Sequence, residues 1–75
     1  MTEGWLQAPD QREVRRYHRD LSSGWYVQWV FIDHGRPMPG APALLQRRRR
    51  VPRDAALIEW KGLQKAGWKR VGAQW

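Results

Sequence analysis

A chain of 75 residues with a formal net charge of +7 and no cysteine excludes several kinds of protein at once. It is long enough for one small domain over residues 1–75, and such a domain buries only about 60–65% of the surface exposed by the unfolded chain. Disulfides, thiolate–zinc sites and a cysteine nucleophile are ruled out, and two histidines, His18 and His34, are too few to close a metal site.

The charge is unevenly spread. Residues 1–45 carry five basic and five acidic side chains, whereas residues 46–75 carry nine basic ones against Asp54 and Glu59. A one-sided positive field selects anionic partners: nucleic acid, an acidic protein face or an anionic lipid surface. Six tryptophans stand in for a larger core, since each ring can bury on the order of 150–250 Å². No run approaches the ~18 apolar residues of a membrane span. The opening Met-Thr-Glu-Gly-Trp-Leu lacks the basic-then-apolar order of a secretory signal. The expectation is a soluble, cytoplasmic protein.

In chain order, Arg12–Arg19 reads two ways. Val14, Tyr17 and Leu21 fall at helical spacing, and Asp10 followed by Glu13 resembles a capping box. A strand is preferred, because Leu21–Gly24 is hairpin-sized and the next segment needs a neighbour. That segment, Trp25–Asp33, is rich in aromatic and β-branched residues and is bounded by Ser22-Ser23-Gly24 and Gly35, which predicts a strand. Trp25, Val27, Trp29 and Phe31 form one face; Tyr26, Gln28, Val30 and Ile32 form the other. Both are largely apolar, so the strand is central. Its second face, Tyr26, Val30 and Ile32, needs cover from Trp5-Leu6, from Trp75 or from a second subunit in a homodimer.

Residues 35–42 hold three prolines, which remove donors and fix φ, so a loop is predicted. Ala43–Arg50 reads as a third strand that Pro52 ends. Asp54–Ala66 is predicted as a helix, with Asp54 as N-cap and Ala56, Trp60 and Leu63 on its apolar stripe. Gly67 occupies the left-handed C-cap position, and Gly62 is a weak point. Trp68–Trp75 is a short final strand or tail. The predicted class is α+β: an antiparallel sheet of three or four strands with one helix across a face, and Trp29 and Trp60 buried near one another.

The run Arg47-Arg48-Arg49-Arg50 is the main candidate site. Alternate residues of an extended chain stand about 6.6 Å apart, a spacing that can follow backbone phosphates. Arginine also forks onto phosphate and stacks on bases. Arg53, Lys69 and Arg70 lie near it in sequence, and Trp5 and Trp75 are candidate exposed rings. The competing explanation of the run is edge protection against strand-to-strand aggregation. Arg36-x-x-Pro39-x-x-Pro42 matches a proline-rich ligand pattern but reads as loop punctuation. Nothing sets a base against a nucleophile, so neither catalysis nor a cofactor is expected.

Gly4-Trp5-Leu6, Ala43-Leu44-Leu45, the series Ala56, Trp60, Leu63, Gly67-Trp68 and the closing Trp75 together resemble a family of small cyanobacterial proteins catalogued as a domain of unknown function. The resemblance spans nearly the whole chain. It implies a single-domain protein of cyanobacterial or cyanophage type, with no binding or catalytic residue to carry over. The segment Leu63–Val71 is also similar to the opening of HicA-type toxins, which cleave messenger RNA, but their Gly-Ser-His strand has no counterpart here. Two functions are expected to compete: a nucleic-acid-binding accessory protein using the Arg47–Arg50 segment, and an interaction module or small regulator docking on an acidic protein. Arginines beside exposed rings would favour the first, and arginines rimming an apolar face the second.

Overall fold

The computed structural model describes residues 3–22, 24 and 26–75. Its strands are β1 (Gly4–Gln7), β2 (Val14–Arg19), β3 (Trp29–Met38), β4 (Ala41–Pro52) and β5 (Lys69–Val71), with one helix, α1 (Arg53–Lys65), between β4 and β5. They form one antiparallel sheet in the order β4-β3-β2-β1-β5. The α+β class is as expected. The sheet has five strands rather than three or four: Lys69–Val71 takes the strand alternative of Trp68–Trp75 over three residues, and Gly4–Gln7 adds a strand that the sequence reading does not contain. Segments of four and three residues leave little periodic signal.

Since β4 and β5 are opposite edges, α1 must cross the sheet to join them. It buries one face. Leu6, Tyr17, Val30 and Ile32 from the sheet pack with Ala56 and Trp60 from the helix, and Val51, Leu63 and Trp68 close the sides. The strand reading of Arg12–Arg19 holds, with Tyr17 opposite Ile32 and Arg19 opposite Val30.

Three expectations change here. The central strand begins at Trp29, not Trp25; Trp25 and Ser23 lie outside the described residues, and Tyr26 is wholly exposed. Val30 and Ile32 are covered by α1 rather than by a tail or a second subunit. Because side chains alternate along a strand, Trp29 and Phe31 point away from the helix, so Trp29 does not meet Trp60.

Residues 35–42 also differ from the predicted loop. β3 runs through Pro37 to Met38, and β4 starts at Ala41 after a Pro39-Gly40 turn. Gly40 at φ 68 supplies the positive φ that a Pro-Gly turn needs. Register shifts at His34/Gly35 and Arg36/Met38 give β4 extra residues, and such bulges admit proline into a ladder.

The helix begins one residue before the predicted N-cap. Pro52 holds that position with no side-chain hydrogen bond, and Asp54 sits inside the first turn, where its charge complements the helix dipole. The C-terminus ends as predicted. Gly67 lies at φ 97, with Gly67 N–H donating to Gln64 O and Trp68 N–H to Leu63 O, which is a Schellman closure. A Cβ at Gly62 would meet nothing within 4 Å. Gly62→Ala should therefore stabilise the domain by about 0.5–1 kcal/mol, raising the melting temperature by roughly 3–6 °C. An unchanged or lower melting temperature in a thermal scan would contradict that.

Candidate functional site

β4 is an edge strand, and alternation sends its arginines to opposite faces. Arg47 and Arg49 share the face of Ile32 and His34, beside α1; Arg48 and Arg50 share the face of Phe31 and Asp33. On that second face, the one away from α1, rings and guanidinium groups interleave. The Arg50 guanidinium lies 4.3 Å from the Trp29 ring centre, that of Arg48 5.0 Å from Phe31, and that of Arg16 5.3 Å from Trp5. Each distance falls within cation–π range.

Buried carboxylates hold two of these guanidinium groups. Asp33, fully buried, accepts from Arg48 Nε at 2.6 Å and Nη2 at 3.0 Å, and from His18 Nε2 at 2.8 Å. Asp20 accepts from Arg50 Nε at 2.7 Å and from the Ser22 hydroxyl at 2.6 Å. Burial alone would raise the Asp33 carboxyl, but hydrogen bonds from Arg48 and His18 outweigh it and hold it below the usual range. Hydrogen bonds from the Ser22 side chain and backbone, then from Arg50, lower Asp20 to about 2.

The far end of the face is closed by the C-terminal tail. Gln74 O accepts from Ala43 N–H at 3.0 Å, and Trp75 meets Trp5 edge-on at 4.4 Å. An ideal Cβ on Gly35 would lie 2.5 Å from the Trp75 ring, so glycine is what lets the ring seat. Trp5 and Trp75 are thus half-buried against each other, not the exposed rings expected from their positions.

On the helix side, a second polar cluster fills the space between α1 and the sheet. Glu59 accepts from the Tyr17 hydroxyl, and from Arg49 Nη2 at 2.7 Å. His34 Nδ1–H donates to Glu13 at 3.0 Å while its Nε2 accepts from Arg49 Nε at 2.9 Å. That arrangement needs a neutral imidazole. Desolvation, then the Arg15 charge, accordingly push His34 below its ordinary value despite the Glu13 hydrogen bond. Burial pushes Glu59 up, but hydrogen bonds from Tyr17 and Arg49 carry it below its usual range. Burial, then the Glu59 hydrogen bond, raises Tyr17.

These directions fix a pH profile. Asp20, Asp33, Glu59 and His34 are all lowered on folding, so each contributes stability that is complete above its unfolded pKa and lost as pH falls through the folded one. Tyr17 is raised, so its contribution is complete below about 10 and is lost at higher pH. The melting temperature should be flat from about pH 7 to 9, decline first below about 6.5 as His34 protonates, and decline again below about 4. His34→Gln keeps both a donor and an acceptor and should remove the first decline. A melting temperature that rises from pH 7 to 5 would contradict the assignment.

The sequence-predicted site residues are only partly brought together. Arg47–Arg50 and Arg53 lie along one edge of the sheet and its exit into α1. Lys69 and Arg70 lie on β5, the opposite edge, and cannot share a contact with them. Within the run, Arg48, Arg49 and Arg50 each hold a carboxylate; among the described residues Arg47 alone of the four has none. Sequence reading missed Phe31, Trp29, Asp33 and Asp20. A signal exists in the parity shared by Trp29 and Phe31, but in sequence Trp29 reads as core.

The family model described as Protein of unknown function (DUF1651) matches residues 3–75. The chain belongs to this family. No curated protein and no solved structure matches it. In this family member most of the residues that carried the sequence resemblance hold the fold together, whereas Leu44 and Leu45 are exposed. Gly4, at φ 144, leaves only 3.0 Å between a would-be Cβ and the Trp60 ring. Leu6 is core, Leu63 and Trp68 close the helix end, and Trp75 caps Gly35. Among the described residues, no helix is long and apolar enough to cross a membrane.

Proposed function

We propose that this protein is a non-catalytic nucleic-acid-binding accessory protein, cytoplasmic and of cyanobacterial type, that binds through the arginines of β4. The observation that carries the reading is the pairing of Arg48 with Phe31 and Arg50 with Trp29 on the sheet face left open by α1. Both rings are part-buried, and arginine stacked on a part-exposed ring is surface chemistry that can take phosphate and base together. The remaining positive charge supports it. Arg16, Arg36, Arg47 and Arg53 have no carboxylate partner among the described residues, so part of the net +7 stays unpaired, with Arg16 on the open face beside Trp5 and Arg53 at the exit of β4. Both ring nitrogens of His34 are engaged, which supports a structural role for it rather than a catalytic one.

The second reading, docking on an acidic protein, is favoured by one observation: Leu44 and Leu45 on the arginines' own strand, and Met38 at the end of β3, are exposed in the β3–β4 hairpin. Salt titration separates the two. For nucleic acid, log affinity should fall linearly with log salt, and three or four phosphate contacts give a slope of roughly −2 to −3 on single strands. Arg47→Ala and Arg53→Ala should each reduce that slope by about one unit without loss of stability. Binding by the double variant as tight as the parent's would leave those arginines as edge protection and remove the reading. A protein-docking or homodimer role would instead show weak nucleic-acid binding at physiological salt.

A further inference from the structure

We infer that the nucleic acid bound by this face is single-stranded, with successive unstacked bases laid on the Arg48–Phe31 and Arg50–Trp29 pairs. The inference rests on the nucleic-acid reading above and specifies the substrate of the same face.

The spacing comes first. Phe31 and Trp29 are two residues apart on one strand, which places them about 6.6 Å apart on the same face. Stacked bases of a duplex repeat every ~3.4 Å along each strand. Consecutive bases can sit on both pairs only if they are pulled apart, which a single strand allows and a duplex resists.

The state of the arginines points the same way. Arg48 is gripped by two nitrogens on Asp33, and Arg50 by its Nε on Asp20, so much of their charge is already answered by a carboxylate. What each offers outward is a flat guanidinium, fixed in position over a ring. Bases stack on arginine planes as they do on aromatic rings. The side chains of Arg48 and Arg50 remain about half-exposed even though their carboxylate partners are buried, so those planes are accessible. Phosphates fall to cations of the same sheet edge that have no carboxylate among the described residues: Arg53 at the exit of β4, and Arg47, whose side chain leaves β4 on the α1 side.

The track also continues past Trp29. Its cross-strand partner is Pro52, and Pro52, Arg53, Asp54, Val27 and Gln28 line a shallow groove with Tyr26. The Tyr26 side chain is wholly exposed. A fully solvated ring in the same groove as Arg53 offers a third stacking position.

The test compares a fluorescein-labelled single-stranded 12-mer with the duplex of the same sequence by anisotropy at fixed salt, using the full chain. The single strand should bind at least about 10-fold tighter, given the stacking contribution per base. Arg48→Lys and Arg50→Lys keep the charge but lose the plane. Each should weaken single-strand binding about 5- to 10-fold while leaving the salt slope unchanged. Tyr26→Ala, at a side chain with no packing role, should weaken it by a similar factor, so the inference stays testable if a lysine variant folds poorly. Duplex binding equal to or tighter than single-strand binding, or lysine and Tyr26 variants that bind like the parent, would overturn the single-strand inference and leave the nucleic-acid reading standing. Absence of binding to either form at low salt, with capture of polyglutamate instead, would overturn both.

Discussion

Trp60→Ala should cost the domain about 3–5 kcal/mol at 25 °C, a large share of its stability. Trp60 is 4% exposed, meets Tyr17 edge-on at 5.1 Å and fills the space beside Gly4, where the backbone comes too close for any larger residue. Truncating a buried tryptophan costs about 3–5 kcal/mol, the lost transfer energy plus the cavity left behind. At roughly 0.05–0.15 kcal/mol per residue a domain of this size holds only about 4–11 kcal/mol in total. Urea unfolding should show the midpoint lowered by about a quarter or more, approaching zero at the low end of that range, and Trp60→Phe should recover part of the loss. A shift below about 1 kcal/mol would mean that α1 is not held to the sheet by this ring.

Asp33→Ala should have the next largest effect, about 3 kcal/mol. The carboxylate is fully buried and satisfies Arg48 twice and His18 once. Removing one member of a buried charge pair strands the other. Arg48 is half-exposed and can turn to water, which places the cost at the lower end of the roughly 3–5 kcal/mol typical of a broken buried pair. The variant should also loosen Arg48 from Phe31 and weaken single-strand binding. A double-mutant cycle with Arg48→Ala should give a coupling energy of about 1–3 kcal/mol; additivity would deny the pair a structural role. For the same reason Arg48→Ala and Arg49→Ala are not the stability-neutral surface substitutions that the run suggests in sequence, since each would leave Asp33 or Glu59 short of a partner.

Much of this fold is legible from the residues. The helix and its Gly67 closure follow from the spacing of Ala56, Trp60 and Leu63, and the edge position of β4 follows from a charged run that no central strand could hold. What escaped was the pairing across the sheet. Asp20 and Asp33 precede the arginines by 30 and 15 positions, and only the register of β3 against β4 and β2 brings them together. The charge asymmetry between the two halves of the chain is therefore partly cancelled in space. The same blindness placed Trp29 in the core, because alternation shows that two faces differ without showing which one the helix covers. Prolines at 37, 39 and 42 hid a hairpin because bulges, which accommodate them, have no sequence signature of their own.

The central claim is that the face away from α1 is the binding face. Tryptophan indole N–H resonances report on it directly, since the rings are divided between the faces: Trp29 on the open side, Trp60 and Trp68 against the helix side. On titration with a single-stranded oligonucleotide in a heteronuclear NMR experiment, the Trp29 resonance should move progressively and lose its shift as salt is raised, while those of Trp60 and Trp68 stay in place. Movement of Trp60 and Trp68 with Trp29 unmoved would contradict the account.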